Sequence, residues 1–224
     1  MAGIGVRLNK IFGKNTLTTN MIGFFYSTLV TVAPMFAIII NLVLMEYFLK
    51  FSTLGYAQRE LFSCTILYTF IFSLLTASPF NAVLSRYISD VIYEERYQDI
   101  LPCYHIGMVL NIALSCLVGI PFCLWEHFIG GVSVAYVFAG FWCYSSLVLV
   151  FYSMIYLSIC KDYQRIAQYY GIGMLVAFFL SLFFRYILHW GITQSMLAAM
   201  DAGFFLTAVL ENALIKRYFR KNSN

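Results

Sequence analysis

Charge is the scarcest property of this sequence: 14 Lys and Arg and 10 Asp and Glu make up 11% of 224 residues, against about 25% in soluble domains. So few charges cannot solvate the surface of a water-soluble fold of this length. Catalytic signatures are missing as well. No GxxxxGK[ST] loop is present to cradle nucleotide phosphates, no HExxH pair to bind zinc and no GxSxG elbow to present a nucleophile. The three histidines, His105, His127 and His189, fall on different segments near the ends of apolar runs, as interfacial residues do. The six cysteines, Cys64, Cys103, Cys116, Cys123, Cys143 and Cys160, have no CxxC or Cys/His ligand spacing, so neither a metal nor another cofactor is expected. Lys and Arg stand singly between apolar runs, which excludes a nucleic-acid surface despite the net charge of +4. Nothing supports an enzyme, and the short connections leave no soluble domain in which to build an active site. Energy for any transport would come from an ion gradient, from cargo supply or from a partner.

What the chain does have is hydrocarbon. It is 62% hydrophobic, with 22 Phe and 17 Tyr and a mean hydropathy of +0.81. A bilayer core of about 30 Å needs about 20 apolar residues as a helix, and such windows recur. They predict spans at about 21–49, 61–85, 103–125, 132–159, 166–188 and 194–214. Runs such as FAIIINLVL and LVAFFLSLFF do not alternate, which excludes a transmembrane barrel. The expected fold is all-α: one polytopic bundle of six transmembrane helices. The first span is too long for a signal peptide, contains Glu46 and is followed by five more, so it is expected to remain as an anchor.

Positive residues near span ends stay in the cytoplasm. Arg7, Lys10, Lys14, Arg86, Arg96, Lys161, Arg165, Lys216, Arg217, Arg220 and Lys221 fall on one side, against Lys50 and Arg59 on the other. That bias predicts a multi-pass protein of the bacterial cytoplasmic membrane with both termini inside. Ahead of the first span, Ile4, Leu8, Ile11 and Phe12 can share a face while Arg7, Lys10 and Lys14 reach lipid phosphates. Residues 4–13 could therefore form an interfacial helix on membrane lipid, the alternative being a frayed tail.

Polar side chains at depth cost a few kcal/mol and so need a partner, water or a function. Arg185 stands five residues before Trp190, and Asp201 eight residues beyond Thr193 on the returning helix. Their depths differ by only ~4–5 Å at 1.5 Å per residue, so an Arg185–Asp201 pair is possible. It could fasten two helices, bind or gate cargo, or be absent if Arg185 reaches outward. Glu46, close to Lys50, reads as interfacial, and Glu211 reads as a local ion pair with Lys216. Asn41 and Asn111 could bond across helices or touch cargo. Pro34, Pro79 and Pro121 would loosen or kink their helices.

The stretch NAVLSRYISDVIYEERYQDILP, Asn81 to Pro102, gathers six charges. It reads as a solvated connection after the second span, a docking surface or an inner gate, with Arg86 and Asp90 placed to pair if the helix continues. Together with the opening MAGIGVRLNKIF, this stretch resembles the PelG family of exopolysaccharide transporters, in the multidrug/oligosaccharidyl-lipid/polysaccharide flippase superfamily. The residues carrying the likeness in the second segment are Ser85, Arg86, Tyr87, Asp90, Tyr97, Leu101 and Pro102. Val6 stands where the family usually has Phe.

The resemblance implies movement of a partly cationic amino-sugar polysaccharide across the cytoplasmic membrane, beside a synthase and accessory membrane proteins. Family members have two six-helix bundles with cargo passing between them, by alternating access or along a guided channel. This chain matches the first bundle, either as a fragment or as a half working with a second six-helix chain, and IKRYFRKNSN sits where the link to the second half would begin. Asp201 and then Glu46 are the acidic residues expected to meet a cationic polymer, with Arg185 and Asn41 as further cargo or gating candidates. Two other readings stay open: a scaffold subunit that holds a synthase without carrying cargo, and an exporter of small molecules or lipid-linked oligosaccharide.

Overall fold

A computed structural model describes residues 17–94, 96–159 and 162–221. The MAGIGVRLNKIF segment with its expected interfacial helix at 4–13, the residues Cys160 and Lys161, and the end of the basic tail lie outside the described residues. The described residues form six α-helices: α1 Leu17–Phe48, α2 Tyr56–Tyr93, α3 Ile100–Phe128, α4 Val134–Ile159, α5 Tyr163–Tyr186 and α6 Ile192–Lys221. The protein is an all-α polytopic bundle. Helices α2 to α6 are each long and apolar enough to cross a membrane, and the stretch Val32–Phe48 of α1 is apolar as well. A helix leaves no backbone donor or acceptor unpaired in its interior, which is what a hydrocarbon solvent demands.

The six helices run alternately up and down. We call the end carrying residues 96–99 and Asp162 the lower end and the opposite one the upper. At the upper end each chain reversal turns on a residue with positive φ: Lys50 (φ 55°) after α1, Gly131 (φ 65°) after α3 and His189 (φ 55°) after α5. For a side chain with a Cβ this region costs about 1–2 kcal/mol. Lys50→Gly should therefore raise the chain's resistance to denaturant by up to about 1 kcal/mol, read as a shifted unfolding midpoint of the purified protein.

Helix α2 is the longest, at 38 residues. At 1.5 Å per residue it measures ~57 Å, far beyond a bilayer core. The charged stretch that reads as a connection is therefore mostly helix, and only residues 94–99 link α2 to α3. The continuation is amphipathic: Ile88 and Val91 are fully buried, while Arg86 and Asp90 face out. Pro102 falls in the first turn of α3, where a missing N–H costs nothing. Pro34, Pro79 and Pro121 all lie inside helices that continue past them.

Helix α6 is the hub. It packs along α5 and α4; α4 in turn packs on α2 and α3, and α1 lies against α5. The α5–α6 contact is backbone on backbone. A Cβ built on Gly203 would sit 2.7 Å from the Gly173 carbonyl and 2.8 Å from the Ala177 Cβ, and one on Gly173 would sit 2.7 Å from the Gly203 carbonyl. Small residues at such crossings replace the hydrophobic drive that lipid removes. At the lower end the two helices are tied again, by Tyr218 donating to Asp162 and by Arg165, 3.4 Å from the same carboxylate and 5.6 Å from the Tyr218 ring centroid.

Candidate functional site

Helix α6 carries two carboxyl groups at depth, Asp201 and Glu211, and its neighbours decide what each can do. Asp201 is only partly covered and accepts one hydrogen bond, 3.0 Å from the Ser146 hydroxyl of α4. Four and eight residues on, Phe205 and Val209 are exposed on the same face of α6. The acid thus stands at the edge of an outward-facing stripe, with Ser146 holding it from behind. Groups able to donate hydrogen bonds or carry positive charge are what such a site can bind.

The other candidates are placed apart from it. Arg185 turns upward and donates from Nη1 to the Trp190 carbonyl at 2.9 Å, beneath the Phe184–Trp190 ring stack. Among the described residues no ion pair joins Arg185 to Asp201, although the depths allow one. The guanidinium is closer to the orphan carbonyls of the turn that follows its own helix, and it satisfies one of them. Glu46 is exposed near the upper end of α1. Asn41 is buried, its amide 3.5 Å from the Met174 Sδ of α5 and 3.4 Å from the Met200 Sδ of α6. It faces protein in this conformation and fastens α1 to the hub. His105 and His127 each donate a ring N–H to a backbone carbonyl, of Leu101 and Val132 respectively.

The lower end of α2 presents Arg86, Tyr87 and Asp90 to the outside, while the Ser85 hydroxyl bonds back to the Ala82 carbonyl. The expected Arg86–Asp90 pair does not form. Instead Arg96 in the connection reaches Glu94 at 2.5 Å and Asp99 at 3.4 Å. Glu94 holds the Arg96 guanidinium above its usual range by hydrogen bond and charge. Both pairs are more than half exposed or nearly so, which makes them orienting contacts with little weight in stability. Tyr97 lies in the 3-10 turn Tyr97–Asp99 and Leu101 in the first turn of α3.

Two features were not found from the sequence. One is a cavity of about 290 Å³ near the upper end between α2, α3 and α4, lined by Thr65, Tyr68 and Tyr136 among mostly apolar side chains, with Glu126 in its wall. The other is the state of Glu211. The expected ion pair with Lys216 is absent: Glu211 is fully buried and both its carboxylate oxygens lack a hydrogen-bond partner, whereas Lys216 faces out. The two residues are five apart, which puts them on different faces of a helix with 3.6 residues per turn. That spacing was the available signal. Among the described residues no group of three or more His, Cys, Asp and Glu could hold a metal ion.

A family model described as "PelG: Putative exopolysaccharide Exporter (EPS-E)" matches residues 1–224, the whole chain. No curated protein and no solved structure shows a significant match to it.

Proposed function

The chain belongs to the PelG exopolysaccharide exporter family, and on that premise we propose that it moves a polysaccharide across the bacterial cytoplasmic membrane. The family match along the whole chain carries this reading. The polytopic bundle supports it, since a polymer of sugars cannot cross hydrocarbon without a protein-lined path. In this reading the lower end is cytoplasmic, in keeping with the Lys and Arg bias. The exposed stripe of Asp201, Phe205 and Val209 faces the cargo path, and a second six-helix bundle, in the same or another chain, forms the opposite wall. Asp201 is the contact for amine groups of the polymer, held in place by Ser146. Glu46 offers a second acid near the upper exit. A synthase and accessory membrane proteins are the partners that deliver the chain.

The test is surface polysaccharide in cells carrying Asp201→Asn or Arg185→Gln, with protein level checked. Asp201→Asn keeps the hydrogen bond but removes the charge, and should reduce export by about tenfold, the equivalent of 1.4 kcal/mol. Arg185→Gln should act less, through the upper turn. Normal export from both would sink the cargo role.

The exposed lower end of α2 favours a second reading, a scaffold that docks the synthase. Export that survives Asp201→Asn but is lost on replacing Arg86, Tyr87 and Asp90 together would select it.

A further inference from the structure

Glu211 lies ten residues before the lower end of α6, at the level where three other helix ends supply four aromatic hydroxyls. Tyr104 comes from the start of α3, Tyr170 from the start of α5, and Tyr152 and Tyr156 from the end of α4. All four are buried. Tyr104 shares a hydrogen bond with Ser153 at 2.9 Å, Tyr152 donates to the Tyr104 carbonyl at 2.9 Å, and the Tyr152 and Tyr156 hydroxyls are 3.1 Å apart. The rings pack as a unit, Tyr104 stacking on Tyr152 at 5.5 Å and meeting Tyr156 edge-on at 4.9 Å. The hydroxyls of Tyr104, Tyr152 and Tyr156 are engaged inside that unit, and neither carboxylate oxygen of Glu211 has a hydrogen-bond partner.

Tyr104 of α3 and Tyr170 of α5 are the titratable groups close enough to feel the carboxyl electrostatically. Among the described residues of α4, Tyr152 and Tyr156 are the titratable groups at this level, packed against Tyr104. The charged groups of α2 at this end, Arg86 and Asp90, face out, as do Lys216 and Arg217 on α6 itself. Among the described residues no cation pairs with Glu211. An unpaired carboxylate taken out of water costs several kcal/mol, more than neutralising it. The occupant such a place accepts is the neutral acid.

We infer that Glu211 is a proton-binding site, occupied while the tyrosine layer is closed and emptied when that layer parts and water reaches the carboxyl. The balance is simple: one proton leaves the acid for the water that enters, and returns when the layer closes. Opening at the lower end is thereby linked to proton release, whatever the cargo. A burial that served packing alone would be met by leucine or glutamine, without an ionisable group.

Two measurements on the full chain in lipid nanodiscs test this. The first is modification by dicyclohexylcarbodiimide, which reacts with protonated carboxyl groups in apolar surroundings, mapped by mass spectrometry over a pH series. Glu211 should be modified at pH 6, with the yield falling about tenfold as pH rises through the range where the site empties. The second is the melting temperature against pH for wild type and Glu211→Gln. A neutral acid in the folded state ionises in the unfolded chain above about pH 4.3. The wild type therefore binds more protons folded than unfolded, and its stability falls as pH rises above that value. Glu211→Gln should lose that slope. No modification at any pH, or the same slope in both proteins, would overturn the proton site; neither readout involves export, so both are independent of the proposed cargo.

Discussion

Leucine at Gly203 removes the folded protein from the membrane. The α5–α6 crossing has no space for it: even the first carbon of a side chain would lie 2.7 Å from the Gly173 carbonyl oxygen and 2.8 Å from the Ala177 Cβ. The obstruction on one side is backbone, which cannot rotate away as a side chain can. Thr207 adds to the constraint, since its hydroxyl donates to the Gly203 carbonyl at 2.9 Å and lies close to Gly173. Overpacking commonly costs about 1–3 kcal/mol and more where backbone must move. Here the helices would separate by ångströms along the hub contact that also positions Met200, Asp201 and Phe204. Gly171, two residues from Gly173 on α5, meets nothing within 4 Å of a built Cβ, so Gly171→Leu is the matched control. Membrane-extracted protein assayed by size-exclusion chromatography should show a folded peak for the control and little or none for Gly203→Leu. Equal peaks would mean that the close approach of α5 and α6 does not hold the bundle.

The helices could be read from composition because lipid leaves a chain few options: long apolar runs must become helices, and scarce charges mark their ends. The charged stretch after the second span shows the limit of that rule. Charge density marks where the bilayer stops, yet α2 continues to Tyr93 because Ile88 and Val91 keep an apolar face for the bundle while Arg86 and Asp90 turn to the outside. Depth alone left Arg185 open. Equal depth permits a pair with Asp201, but which carbonyl or carboxylate the guanidinium meets depends on helix rotation, and the turn at Trp190 was nearer. Glu211 exposes the same gap from the other direction. Its neighbour in sequence, Lys216, suggested a surface pair, whereas the groups that feel its charge, Tyr104 and Tyr170, come from other helices more than forty positions away. A sequence displays i to i+4 relations directly. Contacts between helices, which fix the tyrosine layer and the Asn41 contacts to Met174 and Met200, become visible only when the rotation of each helix is known.

Alanine at Gly107 should loosen that tyrosine layer, and the loss should be recovered by trimming one specific residue on another helix. Gly107 lies on α3 beneath Tyr152 of α4; a built Cβ would press on the Tyr152 hydroxyl and lie 2.9 Å from its Cζ. The hydroxyl has no free direction to take, because it donates to the Tyr104 carbonyl at 2.9 Å and meets Tyr156 at 3.1 Å. Gly107→Ala should therefore cost about 1–3 kcal/mol, expelling the Tyr152 ring and with it the stack on Tyr104. Tyr152→Phe should restore only part of this, since the ring carbon still collides. Tyr152→Leu ends short of the contact and should make Gly107→Ala nearly neutral in its own background. The double-mutant cycle measured by chemical denaturation of purified protein should then yield a coupling of at least about 1 kcal/mol between the two positions, where independent sites add within about 0.5 kcal/mol. Additive losses would show that the layer absorbs the methyl by another route. Coupling of the stated size, joined to a changed pH slope through Glu211 in the Gly107→Ala protein, would tie the packing of the layer to the proton it encloses.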